Sequence, residues 1–196
     1  MRNFKQKILG VIIACIMLVY ILYPAQCTEL HIKIYLADDS APKTFTLYYA
    51  TEASPDLSDS QTAYAEAIDK QVDIVLPKEL CEKLTTLRLD LHHSDALIAI
   101  DRVELCSGGF IQQSYDGATF FDKANIHSTN DIAVMQSVGN VFYIGTAGSD
   151  PYIFLQPSVI QTCNEAYSHY TVTKIFICLF FISIYILAHK KLFTAD

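Results

Sequence analysis

The chain has 196 residues, 52% of them hydrophobic, and a formal net charge of −7. That length holds one ordinary domain plus extra segments. The acidic balance excludes charge-driven binding of nucleic acid or anionic lipid.

The apolar excess gathers at the two ends. Residues 1–7 form a short basic tail with Arg2, Lys5 and Lys7. Residues 8–25, ILGVIIACIMLVYILYPA, carry no charge, and residues 172–188, VTKIFICLFFISIYILA, carry only Lys174. As helix each run is about 26 Å long, near the lower limit for crossing a bilayer core. Tyr20, Tyr23, Tyr167 and Tyr170 fall where an interfacial aromatic belt would lie. Lys190 and Lys191 close the second run, so the positive-inside rule puts both termini in the cytoplasm and residues 26–171 outside. The expectation is a two-pass cell-membrane protein with transmembrane helices at 8–25 and 172–188 and tails at 1–7 and 189–196. The first run also has the charged start and apolar core of a secretory signal. Its apolar core is long for that role, and Pro24-Ala25-Gln26-Cys27 lacks the small residues of a cleavage or lipoprotein site, which favours an uncleaved anchor. The segment between the spans has 20 acidic and 8 basic residues, a formal charge of −12.

In chain order, residues 30–36 alternate, with Leu30, Ile32, Ile34 and Leu36 on one face and His31, Lys33 and Tyr35 on the other, which predicts a half-buried strand. Residues 38–43 read as a turn, and 44–50 (TFTLYYA) as a strand rich in aromatic and β-branched residues. Residues 51–67 read as a long loop with a helical turn at 63–67. Residues 71–76 form a strand ending at Pro77, and 77–83 a connection. Leu87, Leu89 and Leu91 alternate with Arg88 and Asp90; His92 to Asp95 break the pattern, and a second run covers 96–105. The phase slips near Asp101-Arg102, which calls for a bulge or for cover on both faces. These two runs are read as consecutive core strands. Gly108-Gly109 ends the second, 110–115 reads as a strand, and Phe120-Phe121 as an aromatic plug. Residues 125–131 read as turn material. Residues 132–137 and 141–146 form a hairpin about Gly139-Asn140. Residues 151–155 form a last strand, placed at an edge or a strand start by Pro151, and 157–170 lead to the second span as helix. Eight to ten short strands with turns every eight to twelve residues point to an all-β ectodomain, a β-sandwich or jelly roll, flanked by two transmembrane α-helices.

Cys15 and Cys178 lie inside the spans and read as apolar residues. Cys27, Cys81, Cys106 and Cys163 fall in the outer segment, where disulfides persist. If the two central runs form a simple hairpin, Cys81 and Cys106 face each other across its open end, closing a loop of about 26 residues worth roughly 3 kcal/mol. Cys27 and Cys163 would then staple the ends of the domain. Four reduced thiols are the competing expectation.

A resemblance is carried by Leu47-Tyr48-Tyr49, Leu76-Pro77, Leu87-Arg88-Leu89-Asp90, Ile98-Ala99-Ile100-Asp101-Arg102-Val103 and Gly148-Ser149-Asp150-Pro151-Tyr152-Ile153. Over residues 44–155 the chain resembles the extracytoplasmic jelly-roll domains, of carbohydrate-binding-module type, attached to bacterial membrane proteins of cell-surface polysaccharide assembly. The resemblance implies a non-catalytic module that holds a surface glycan or docks a membrane glycosyltransferase. This chain has two spans and no glycosyltransferase domain, so the enzymatic activity of such proteins is not implied for it.

The residues themselves name little chemistry. His92, His93 and Asp95 could ligate a metal, but adjacent strand histidines point to opposite faces. His31 and His127 are isolated. Asp38-Asp39 with Asp56, Asp59 or Asp150 offer oxygens for calcium without a spaced loop motif, so no cofactor is expected. No nucleophile elbow or phosphate loop is present, and nothing selects a carboxylate pair for glycoside hydrolysis. The candidate ligand-binding residues are Tyr48, Tyr115, Asp150 and Tyr152, as part of a sugar-stacking surface. The competing readings are a scaffolding protein, with Cys178, Ser183 and Tyr185 facing partner helices, and a glycan-modifying enzyme.

Overall fold

A computed structural model describes residues 29–38, 44–77 and 83–193; within the last helix, the side chains of 167–174 and 184–193 lie outside that description. The predicted span at 8–25, Cys27, Cys81 and most of the turn at 38–43 also fall outside it.

The described residues form eleven strands: β1 (Leu30–Leu36), β2 (Thr44–Thr51), β3 (Thr62–Ile68), β4 (Gln71–Leu76), β5 (Leu84–Asp90), β6 (Leu97–Ser107), β7 (Phe110–Asp116), β8 (Ile126–Asn130), β9 (Ile132–Val138), β10 (Val141–Thr146) and β11 (Tyr152–Leu155). Two helices join them, α1 (Gly117–Phe120) and α2 (Pro157–Phe193). The domain is all-β, a single antiparallel sheet in the order β8-β11-β5-β2-β3-β4-β1-β6-β10-β9, with β7 also on β6. The chain divides into two compact units, one over Thr28–Ser168 and a second that takes in α2 beyond it.

Alternation builds the core. On β1 every second residue is buried, and β4 answers it with Ile32 beside Ile74 and Ile34 beside Val72. Phe45, Leu47, Leu87, Leu89, Ile144 and Ile153 enter the same apolar cluster from other strands, and Val159, Ile160 and Cys163 enter it from the start of α2. Removing one such aliphatic side chain to alanine typically costs about 2–5 kcal/mol. The phase slip in β6 is a bulge: Tyr35 pairs with Arg102 and Leu36 with Ile100, leaving Asp101 out of the ladder. Phe120 and Phe121 are buried, and the Phe121 ring stacks on Phe142 at 5.5 Å, as an aromatic plug should.

Several expectations are corrected. Residues 62–68 are a strand rather than a loop with a helical turn. Alanine favours helix, but Ala63 and Ala65 alternate inward while Tyr64 and Glu66 point outward. The tight turn into β4 uses Asp69 and Lys70 in left-handed conformation, the geometry of a two-residue hairpin. Residues 126–130 are strand β8, whose polar sequence hid it. Of the two places expected for Pro151 the structure takes the strand start: Pro151 immediately precedes β11, which lies between β8 and β5. The two central runs are not a hairpin: β5 pairs with β2 and β11, and β6 with β1, β10 and β7. His92 and Asp95 turn the chain in left-handed conformation between these separate parts of the sheet. The reason for a Cys81–Cys106 bridge therefore lapses, and Cys106 carries a free, buried thiol. Cys163 is fully buried in the core; Cys27, with which pairing was expected, lies outside the described residues.

The helix expected at 157–170 continues through Val172 and beyond as α2. Among the described residues no helix is long and apolar enough to cross a membrane.

Candidate functional site

Residues opposite each other in register share a face of the sheet. Over β3, β2, β5, β11 and β8 the register sets two outward rows. One runs Tyr64, Thr46, Asp90, Tyr152, Asn130; the next runs Thr62, Tyr48, Arg88, Phe154, Ser128. Between them Ala63, Leu47, Leu89 and Ile153 point into the core. Period-two alternation on five adjacent strands thus sets aromatic rings, hydroxyls and a carboxylate on one surface.

Arg88 organises this surface. Its Nε and Nη2 donate to the two carboxylate oxygens of Asp90 at 2.7 and 2.6 Å, the bidentate geometry that makes such pairs strong. Nη2 is also 3.6 Å from the exposed Asp150 carboxylate. The guanidinium carbon lies 4.9 Å from the Tyr48 ring centre and 4.1 Å from that of Tyr152, so a ring on each flanking strand holds it. Tyr152 meets Phe154 edge-on at 5.4 Å. The hydrogen bonds to Asp90 raise the Arg88 pKa. Burial, then the Asp90 charge, raises the Tyr48 phenol above its ordinary value. Asp90 is 6% exposed, and with both oxygens held by Arg88 it is poorly placed to shuttle protons. Asp150 is fixed by the junction of β8 and β9: its backbone N–H donates to the Asp131 carboxylate at 3.0 Å, and the Asn130 amide donates to its carbonyl at 2.8 Å. Gly148, with φ 83°, passes so close to the Asp131 carboxylate that a Cβ there would displace it. At the end of β5, His92 Nε2 shares a hydrogen bond with Thr46 Oγ1.

Three of the four candidate residues, Tyr48, Asp150 and Tyr152, therefore meet around one arginine. The fourth does not. Tyr115 packs on Phe120 at 5.9 Å, donates to Gln113, and belongs to the edge of the core. Arg88, Asp90, Thr46 and Phe154 are not among the ligand-binding candidates drawn from the sequence. The signal was present: Arg88 and Asp90 stand two apart in a strand, so they share a face, and that face is the outward one.

A cleft of about 370 Å³ adjoins the second row. Phe154 and Ser128 line it from the row itself, with Thr85, Thr86, His127, Leu155, Pro157 and Ile160. None of these is Asp, Glu, Lys or Arg.

A smaller cluster of the same kind lies elsewhere on the sheet. Tyr35 donates to Glu104 at 2.8 Å, and Arg102 covers the Tyr35 ring at 4.2 Å while pairing with Glu104 at 3.3 Å. His31 Nδ1 bonds Asp73 at 2.9 Å. Among the described residues no group of three or more His, Cys, Asp or Glu side chains is arranged to hold a metal ion. His93 is exposed, and Asp56 and Asp59 sit on the loop before β3. Comparison with known protein families, curated proteins and solved structures returned no match.

Proposed function

We propose that the chain is a membrane-anchored, non-catalytic module that binds glycan or docks a partner in cell-surface polysaccharide assembly at the bacterial envelope. In this reading the sheet folds over its single core as a β-sandwich of jelly-roll kind. Residues 8–25 and 172–188 are the spans, both termini are cytoplasmic, and the β-domain lies outside. The observation that carries the binding role is the pair of outward rows around Arg88, where Tyr48, Tyr152, Phe154 and Tyr64 stand among Thr62, Ser128, Asn130 and the exposed Asp150 carboxylate, with the buried Asp90 holding Arg88 from within the face. Aromatic faces pack on the C–H faces of sugar rings, and carboxylates and amides satisfy hydroxyls. The acidic surroundings favour neutral over anionic glycans. Supporting the anchor, Phe176, Leu179, Phe180 and Phe181 of α2 are each more than half exposed, a surface that lipid would cover.

The test is calorimetric titration of the full-length chain in detergent with neutral oligosaccharides. The proposal expects saturable binding that Tyr152→Ala weakens at least tenfold. Absence of binding across a broad neutral panel, together with failure to co-purify a membrane glycosyltransferase, would overturn it.

A further inference from the structure

Two bulges open onto the same cleft. On β5, Ala50 pairs with Thr86 and Thr51 with Leu84, so Thr85 is left out of the ladder. On β8, Phe154 pairs with Ser128 and Leu155 with Ile126, so His127 is left out. Bulges re-aim side chains beside binding sites, and both displaced residues line the 370 Å³ cleft. We infer that this cleft, formed by Thr85, Thr86, His127, Ser128, Phe154 and Ile160, is a binding subsite for one neutral, hydroxyl-bearing ring, the terminal unit of a glycan lying along the Arg88 face. The inference rests on the glycan reading of that face and adds the place and charge class of the end unit.

Size and chemistry agree. The volume suits a small ligand and corresponds to about twelve waters at ~30 Å³ each, the scale of one or two sugar rings. Three hydroxyls and an imidazole supply donors and acceptors, while Phe154 and Ile160 supply an apolar wall. With no Asp, Glu, Lys or Arg among the described residues of the lining, an ionic group entering the cleft would lose water without gaining a counter-charge from them. A neutral polyol loses nothing of that kind. Position agrees as well. Phe154 and Ser128 belong both to the second outward row and to the cleft. Five strands spaced ~4.8 Å apart make that row about 19 Å long, so a short linear glycan laid from Thr62 towards Ser128 would end in the cleft.

The experiment is ligand-observed saturation-transfer NMR on the full-length chain in detergent, backed by titration. The probes are the methyl glycosides of glucose, galactose and N-acetylglucosamine, with glucuronic acid and glucosamine as charged counterparts and neutral tetrasaccharides as the extended form. Thr85→Trp fills the cleft from an exposed position; Ser128→Leu fills it from another, should the first fail to fold, and Tyr35→Phe is the remote control. The expected result is binding of at least one neutral glycoside, weakened tenfold or more by either filling variant and unchanged by Tyr35→Phe, with the charged sugars weaker. Binding of neutral glycosides that both filling variants leave intact would overturn the subsite, as would tighter binding of the acid or amine. Tetrasaccharide binding that Tyr48→Ala weakens but the filling variants do not would remove the subsite and leave the Arg88 face standing. Silence from every sugar removes both.

Discussion

Removing Arg88 tests whether it organises its face. In Arg88→Met the flexible thioether still lies between the Tyr48 and Tyr152 rings, but the Asp90 carboxylate, 6% exposed, loses both of its strong donors. Truncating one partner of a buried pair costs about 3–5 kcal/mol. The Arg88 side chain keeps 22% exposure, so the lower end applies, about 3 kcal/mol including the lost ring contacts. That is a large share of a typical stability of about 5–15 kcal/mol and more than a hundredfold in the folding equilibrium. The double variant Arg88→Met, Asp90→Leu leaves no stranded charge and should recover at least half of the loss, a coupling of about 2 kcal/mol. Urea denaturation of the full-length chain in one detergent, followed by circular dichroism, measures all four corners of the cycle. A single-variant loss under about 1 kcal/mol, or a double variant at the sum of the singles, would refute the reasoning.

Two further outcomes follow from the fold. A Cβ on Gly117 would sit 2.8 Å from the Ile100 carbonyl carbon and nearer still to its oxygen, a backbone clash that no rotamer relieves. Gly117→Ala should therefore cost about 3 kcal/mol, the top of the overpacking range, whereas Gly109→Ala, at φ 81° with nothing within 4 Å, should cost only about 1–2 kcal/mol of left-handed strain. Equal losses in thermal melts of the two would contradict this. At high pH, burial raises the phenol pKa of Tyr35, Tyr48, Tyr49 and Tyr115 above the ordinary value. The native state then holds these protons more tightly than the unfolded chain. Their contribution is complete below about pH 10 and is lost as pH climbs through the native values. Absorbance titration of phenolate should show a late-titrating group of tyrosines whose ionisation accompanies unfolding; a single ordinary titration without unfolding would contradict it.

The fold was legible where alternation was clean. Leu30-His31-Ile32-Lys33-Ile34 and Val72-Asp73-Ile74 declare both their strands and their buried faces, and the slip at Asp101 declares its bulge. It was illegible where composition spoke against context: Ala63-Tyr64-Ala65 has helical propensity that pairing with β2 overrides, and His127-Ser128-Thr129 is too polar to mark a strand carried by its neighbours. Sequence adjacency misled for β5 and β6, because nothing local tells a crossover from a hairpin; that long-range choice also removes the reason for pairing Cys81 with Cys106. At the site, Tyr48, Asp150 and Tyr152 fall on one outward face and Tyr115 does not. The charge that joins the first three was not legible, since Arg88 gathers partners from β2, β11 and the loop before β11 that only the pairing of distant strands brings together.

The central claim is that the outward face of β3, β2, β5, β11 and β8 is the binding surface. Hydrogen exchange of the full-length chain, with and without a saturating neutral oligosaccharide, tests it without substitutions. Slowed exchange is expected only over Thr44–Thr51, Thr62–Ile68, Leu84–Asp90, Ile126–Asn130 and Tyr152–Leu155. Protection centred instead on Leu30–Leu36 and Leu97–Ser107, around the Tyr35–Arg102–Glu104 cluster, would contradict it.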